Sequence, residues 1–427
     1  MVRGEHVRSV VLEAVDAQAQ DMVALLRELV RQPSVSGSDV ENSAQQQLAQ
    51  VFEADGLDVD HWSIPIEEQS SEDDFPGMEV RREEGWGLVG RLPGTGDGST
   101  LMLNGHIDVV PPGDLSTWTG TDPFSGRIDG DLLHGRGTCD MKGGLIAALW
   151  AVRALRRSGV RLRGDVLLAS VQGEEDGGMG TYAMLRRGWR ADACVIPEPT
   201  GLDIVPANAG ALTFRLRVPG HAAHASRRTA GVSAIEKFWP VARALTELEA
   251  RRNTDVDPLL ARWDIAYPLS IGMVRSGEWA SSVPDLLVAE GRLGVALDEP
   301  VADARAALET AVAEACADDP WLREHPVVVE WWGGQFASGR LPDGSGLLDS
   351  MRTAHRTVTG GGTQQTWAAP YGSDLRLMTG LGGVPTIHYG PGDVTLAHGP
   401  DEYVPLTEVR TCARALAVLA IEQCSAE

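Results

Sequence analysis

A chain of 427 residues is too long for one ordinary domain and suits two, and an apolar share of 43% marks it as globular. Sixty acidic against 37 basic residues leave a formal charge of -23, which opposes nonspecific binding to nucleic acid or to an anionic membrane. The five cysteines are scattered and form no CxxC pair, so neither a disulfide framework nor a thiolate zinc knuckle is expected.

Charged residues interrupt the opening MVRGEHVRSVVLEAVDAQAQD, which lacks the apolar core of a secretory signal. No later stretch approaches the roughly 18 uncharged apolar residues that membrane spanning requires, and a cytoplasmic protein is expected. Met22, Val23, Leu25, Leu26, Leu29 and Val30 predict a helix over 9–31 that Pro33 stops, and SVSGSD offers caps for a second over 39–54. Strand-like runs follow at 57–63 and 86–92. The acid-rich segment from Glu67 to Glu84 between them reads as an exposed loop. After the PGTGDG turn come a short strand beginning at Leu101, a helix over 143–157, a strand over 166–171, a helix over 179–187 and a strand closing at Val195-Ile196. This alternation predicts an α/β layer with a largely parallel sheet, whose ligands gather outside the carboxyl ends of strands.

Near residue 210 the pattern changes to strand 210–218, helix 231–251, strands 267–275 and 286–294, helix 302–316 and strand 326–331. That order, βαββαβ, predicts a ferredoxin-like unit inserted in the chain. Helices at 345–358, 373–379 and 406–422 and a strand at 384–388 then resume the first style. The expected domains are therefore 1–209 and 333–427 together, with 210–332 as the insert.

Residues two apart on a strand share a face, so His106 and Asp108 can point into one cleft as a metal ligand and the carboxylate that orients it. Asp140, ahead of Met141-Lys142-Gly143-Gly144, could bridge two cations. Glu174 and Glu175 at a strand end diverge, so one can ligate while its neighbour faces substrate. Glu198 in IPEPT and His398 in AHGPDE complete a set of two imidazoles and three carboxylates, with Asp108 and Glu174 as helpers. A set of nitrogen and oxygen donors without thiolates suits zinc, manganese or cobalt, and two ions sharing Asp140 would hold a bridging water for hydrolysis. The three acids preceding the loose GxG at Gly178 to Gly180 would repel a pyrophosphate. Cys139 reads as a buried, inert thiol.

The segments GHIDVV, GRGTCDMKGG, GEEDGGMG, PEPT and AHGPDEYV resemble, in order, the signature of the dizinc hydrolases that include acetylornithine deacetylase, succinyl-diaminopimelate desuccinylase, aminoacylase and glutamate carboxypeptidase. The resemblance implies a discontinuous zinc-peptidase-like catalytic domain with an inserted lid. It implies that His106 and Glu198 hold one Zn2+, that Glu175 and His398 hold the other, and that Asp140 bridges them. It assigns Glu174 as general base and Asp108 as the group that orients His106. It further implies an oxyanion donor, best matched by His224 in GHAAHAS with His221 in reserve, often supplied across a homodimer formed through the lid. Hinges near 208–211 and 331–334 would close that lid. Arg292 in EGRLGV and Arg376 in GSDLR resemble receivers of a substrate carboxylate. Ser281 stands where relatives often have asparagine, which shifts the expected substrate contacts.

The expected activity is hydrolysis of the N-acyl amide of an acylated amino acid with a free carboxylate, on two Zn2+ for which Co2+ or Mn2+ can substitute. The runner-up is a dipeptidase or carboxypeptidase of the same chemistry. The remote alternative is a metal-binding regulatory protein without catalysis.

Overall fold

The computed structural model describes residues 2–120 and 122–426. The chain opens on two helices where one was expected. Between α1 (Val2–Ala17) and α2 (Ala19–Val30), Gln18 leaves the helical backbone region (φ -105, ψ 6) and its side-chain amide donates to the Ala14 carbonyl. No proline or glycine marks this break, which is why the periodicity ran through it. Ser38 caps α3 (Asp39–Ala54), its hydroxyl accepting the Glu41 N–H. β1 (Asp58–Ser63), a short α4 (Ile66–Gln69), β2 (Trp86–Leu92) and β3 (Leu101–His106) follow. A hairpin of β4 (Arg127–Asp129) and β5 (Leu132–His134) precedes α5 (Gly143–Arg157), β6 (Val166–Val171), α6 (Met179–Arg186), β7 (Ala193–Ile196) and β8 (Ile204–Asn208). Every residue of β3, β6 and β7 is buried, as strands covered on both faces must be.

The inserted stretch runs β9 (Gly210–Pro219), β10 (Ala223–His224), α7 (Ala234–Arg252), β11 (Leu269–Ser276), β12 (Ser282–Val283), β13 (Leu286–Val295), α8 (Val301–Asp318), α9 (Pro320–Glu324) and β14 (Val328–Phe336). β11, β13, β9 and β14 form an antiparallel sheet in that order. Alternate residues of β9, from Leu212 to Val218, are fully buried with Phe238 and Val241 of α7 and Leu308 of α8. This two-residue period fixes the register, because a slip of one would turn the whole apolar set to solvent.

The chain then returns through β15 (Gly339–Arg340), α10 (Leu347–Thr359), β16 (Thr366–Ala369), β17 (Thr386–His388), β18 (Tyr403–Pro405) and α11 (Leu406–Gln423). The large sheet has the order β1-β2-β6-β3-β7-β17-β8-β15, with β16 beside β8. β6, β3, β7 and β17 lie parallel to their mutual neighbours, whereas β1 with β2, β2 with β6 and β17 with β8 pair antiparallel. The expectation of a largely parallel sheet is thus corrected to a parallel centre with antiparallel flanks. Parallel neighbours need a crossover, which α5 supplies between β3 and β6, whereas β1 is followed in the chain by its own antiparallel partner. Where a helix was expected over 373–379, residues 375–381 are helical, and the Met378 N–H reaches the Asp374 carbonyl at 3.0 Å. Its last five residues, Leu377–Leu381, wind wider than an α-helix, the Gly382 N–H closing on the Leu377 carbonyl at 2.8 Å.

Two compact units divide the chain: Met1–Ala207 with Arg340–Trp367 and Asp374–Glu427, and Asn208–Gly339 with Ala368–Ser373. Among the described residues no helix is long and apolar enough to cross a membrane.

Candidate metal centre

The carboxyl ends of three parallel strands deliver four of the candidate donors. His106 is the last residue of β3, Glu174 and Glu175 follow β6, and Glu198 follows β7. Asp140 lies in the turn that enters α5, and His398 in the loop before β18. Gly144 shows why glycine opens α5: a Cβ there would sit 1.8 Å from the Pro197 carbonyl oxygen, so a side chain would force the helix off the turn that carries Glu198.

Asp140 lies between the two imidazoles. Its Oδ1 is 3.1 Å from His106 Nε2 and its Oδ2 is 3.4 Å from His398 Nε2. On the first side Glu198 Oε1 stands 3.8 Å from His106 Nε2, and on the second Glu175 Oε2 stands 3.0 Å from His398 Nε2. Donor atoms of His106, Asp140 and Glu175 lie within 4.8 Å of one another, as do those of His106, Glu174 and Glu198. His398 adopts a left-handed backbone (φ 63), an unusual conformation for a residue with a side chain and one that concentrates at functional sites.

Crowded carboxylates shape the titration of the site. The charge of Glu175 lifts His398 to about 11, with Asp140 adding to it against burial. Burial opposes the charged form of His106, yet its hydrogen bond to Asp140 and the charge of Glu198 hold it well above the ordinary imidazole range. Burial pushes Glu174 well above the usual carboxylate range, reinforced by the charge of Asp374, and burial with Asp140 does the same for Glu198.

Asp108 is fully buried, and its part differs in detail from the expectation. The Nδ1 of His106 meets the Asp108 backbone carbonyl at 2.9 Å, while the carboxylate Oδ1 lies 3.7 Å away. The carboxylate instead accepts the backbone N–H groups of Glu174 and Glu175 (each 3.3 Å) and the Ser36 hydroxyl (2.9 Å). One residue therefore steadies the imidazole through its main chain and the two glutamates through its side chain.

Several supporting residues escaped the sequence reading. Glu402 Oε1 accepts the N–H groups of Cys139 (3.1 Å) and Asp140 (3.4 Å), while Arg136 Nη2 donates to the His398 carbonyl (3.1 Å). Both lie inside the quoted motifs, GRGTCD and AHGPDE, and a buried charge in a motif was the signal. Asp374 accepts the Thr181 hydroxyl at 2.6 Å, which in turn accepts Asn104 Nδ2 at 3.0 Å. Cys139 is fully buried and burial raises its thiol, in keeping with an inert group.

The remaining candidates fall in two places. Arg376 belongs to the first unit and is 5% exposed; its Nη2 donates to the Gly177 carbonyl at 2.7 Å. Through that bond it supports the glutamate loop. In the second unit His224 pairs with Ser282 across β10 and β12, and the Ala225 N–H donates to the Ser281 carbonyl at 2.9 Å. His224 and Ser281 are thus brought together. The exposed His224 ring caps the turn that follows, Nδ1 accepting the Ser226 N–H at 3.2 Å. His221 is held by a backbone bridge to Val232. Arg292 stands exposed on β13, its guanidinium 5.4 Å from the centre of the Phe336 ring.

The donor set fits divalent cations. It offers imidazoles and carboxylates without thiolate, and Glu175 Oε1 is buried with no hydrogen-bond partner among the described residues. Imidazoles and carboxylates converging outside the ends of parallel strands define a metal-dependent hydrolase. Within that class, residues 102–422 match the sequence model of peptidase family M20/M25/M40, and the chain belongs to that family and acts on amide bonds. It is 26% identical over 442 residues to N-formyl-4-amino-5-aminomethyl-2-methylpyrimidine deformylase of Halalkalibacterium halodurans, covering 97% of this chain and 96% of that protein. It is 29% identical over 413 residues to succinyl-diaminopimelate desuccinylase of Gluconacetobacter diazotrophicus, covering 91% and 93%. The fold is similar to that of human carnosine dipeptidase 1, with a TM-score of 0.73, 15% identity and coverage of 98% and 99%. A di-peptidase of Saccharomyces cerevisiae gives a TM-score of 0.76 at 15% identity, covering 97% and 98%.

Proposed function

We propose that this metal-dependent amidohydrolase removes the acyl group of an N-acylated amino acid, using two zinc ions for which cobalt or manganese can substitute. The observation that carries the two-ion reading is Asp140, whose two carboxylate oxygens face different imidazoles. His106 and Glu198 would hold one ion, His398 and Glu175 the other, and Asp140 both. Bound there, the ions would polarise the scissile carbonyl and lower the pKa of a water between them towards about 7.

Glu174 takes a proton from the attacking water and delivers it to the departing amine nitrogen. Glu174 is buried at the site, with a carboxylate oxygen within 4.8 Å of donor atoms of His106 and Glu198, which places it for this task. Asp108 keeps Glu174 aimed by anchoring its backbone N–H. His224 is assigned as oxyanion donor, Arg292 as receiver of the substrate carboxylate, and Ser281 as a substrate contact. All three belong to the βαββαβ stretch, read as a ferredoxin-like lid over 210–332, with 1–209 and 333–427 as the catalytic domain. Homodimerisation through that lid is supported by exposed apolar side chains along its edge strand β11, Met273 and Val274. A cytoplasmic setting is supported by five cysteines that are all free.

A second reading is deformylation of an N-formylated aminomethylpyrimidine. It is favoured by the full-length similarity to deformylases from Halalkalibacterium halodurans and Bacillus subtilis. Amine release from a panel of N-acetyl, N-succinyl and longer N-acyl amino acids, dipeptides and that formylated pyrimidine separates the readings. Release chiefly from the N-acyl amino acids is expected. Release from dipeptides alone, or from the pyrimidine alone, would replace the substrate class.

A further inference from the structure

The acid-rich segment before β2 carries one arginine that turns inward. Arg82 is 6% exposed, and it lies between two carboxylates that are equally hidden, Glu41 (2%) on α3 and Asp176 (4%) in the loop after β6. Its Nε is 3.2 Å from Glu41 Oε2 and its Nη1 is 2.8 Å from Asp176 Oδ2. Each carboxylate also grips backbone. Glu41 Oε1 accepts the Gly173 N–H at 3.0 Å, and Asp176 Oδ2 accepts the N–H groups of Glu79 (3.1 Å) and Val80 (2.9 Å). Gly173 has a left-handed backbone (φ 67), and a Cβ there would lie 3.2 Å from the Arg82 guanidinium carbon, so the loop closes directly on the arginine.

Glu174 and Glu175 sit between the two gripped residues, Gly173 and Asp176. Asp108 holds their N–H groups from one side, and the Glu41–Arg82–Asp176 triad holds the ends of the same loop from the other. A buried ion cluster is weak evidence for stability, because well-packed apolar residues often serve as well or better. What an apolar replacement could not do is fix backbone N–H groups by charge-assisted hydrogen bonds, which are short and directional.

We propose that Arg82 is a positioning residue for the hydrolytic reaction: through Glu41 and Asp176 it fixes the Gly173–Gly178 loop, and with it the directions of Glu174 and Glu175. The proposal rests on the reading of Glu175 as a metal ligand and Glu174 as the base. Without Arg82 the guanidinium bridge that joins Glu41 to Asp176 is lost and the loop between Gly173 and Asp176 is no longer held, while the two unpaired carboxylates also weaken the fold.

The test starts from the zinc-loaded full chain and compares Arg82→Met, Arg82→Lys and Glu175→Gln for zinc affinity, by competition with a chromophoric chelator, and for kcat and KM. Thermal unfolding is recorded alongside. Arg82→Met is expected to weaken zinc binding and lower kcat, each by about 10- to 100-fold, with KM changed less than about threefold and part of the loss recovered in Arg82→Lys. Where Arg82→Met does not fold, the Glu41→Gln/Arg82→Met pair removes one of the unpaired carboxylates and is expected to show the same losses. Wild-type zinc affinity and kcat in the folded variant, with only its thermal midpoint lowered, would reduce Arg82 to a structural role and overturn the proposal. If Glu175→Gln itself keeps wild-type zinc affinity, the ligand reading fails and the proposal falls with it. Loss in Glu175→Gln without loss in Arg82→Met sinks the Arg82 proposal alone.

Discussion

Arg136 and Glu402 form an ion pair of 2.5 Å, Nη1 to Oε2, with side chains 2% and 0% exposed. The pair ties the Asp140 turn to the His398 loop, because Glu402 also accepts the Asp140 N–H and Arg136 also donates to the His398 carbonyl. Removing one partner strands the other charge in the interior. Arg136→Met is expected to lower the unfolding free energy by about 3–5 kcal/mol in urea titration. Arg136→Lys should recover little of it, since a point charge cannot serve both acceptors as the planar fork does. A loss under about 1 kcal/mol in Arg136→Met would contradict this account of the pair.

The imidazoles carry protons that a cation must expel. Glu175 lifts His398 to about 11 and the Asp140 hydrogen bond raises His106 against its burial, so the metal-free site favours the protonated imidazole, and only a neutral imidazole ligates. Calorimetric zinc titrations near pH 7.5, in two buffers of different ionisation enthalpy, should report net proton release as zinc binds. Zero release would show that the imidazoles are already neutral. The same raised pKa means that the contacts of His398 stabilise the metal-free fold fully below about 6.5 and are lost as pH climbs towards about 11, so its thermal midpoint should decline across that window.

Arg292 and His224 separate binding from chemistry. Arg292→Met is expected to lower kcat/KM at least about tenfold for N-acyl amino acids, chiefly through KM, because a charge-assisted pair to the substrate carboxylate is lost. It should leave an N-formylated aminomethylpyrimidine, which has no carboxylate, unaffected. His224→Ala should retain both metals and lower kcat at least about tenfold. Wild-type steady-state constants in either variant would remove that residue from the site.

The motif residues were legible because metal chemistry restricts which side chains can appear, and strand ends, the turn into α5 and the loop before β18 bring them together whatever the intervening sequence. His106, Asp140, Glu175, Glu198 and His398 converge for that reason. Support was harder to read. Whether Asp108 steadies His106 by side chain or main chain depends on a difference between 2.9 and 3.7 Å that no spacing rule resolves. Arg82 was lost in an acidic run that looks solvated throughout, and Arg376 shows the converse, a charge that looked available yet is buried. The break at Gln18 and the antiparallel flanks of the sheet arise from tertiary packing, which local periodicity does not encode.

The central claim is that Glu174 moves the proton at a site holding two metal ions. The most direct measurement is amine release from the zinc-loaded Glu174→Gln variant on the best N-acyl amino acid, with zinc counted in the same sample. The account predicts release lowered by about 10²- to 10⁴-fold with two zinc ions per chain retained. Undiminished release with the metals in place would contradict it.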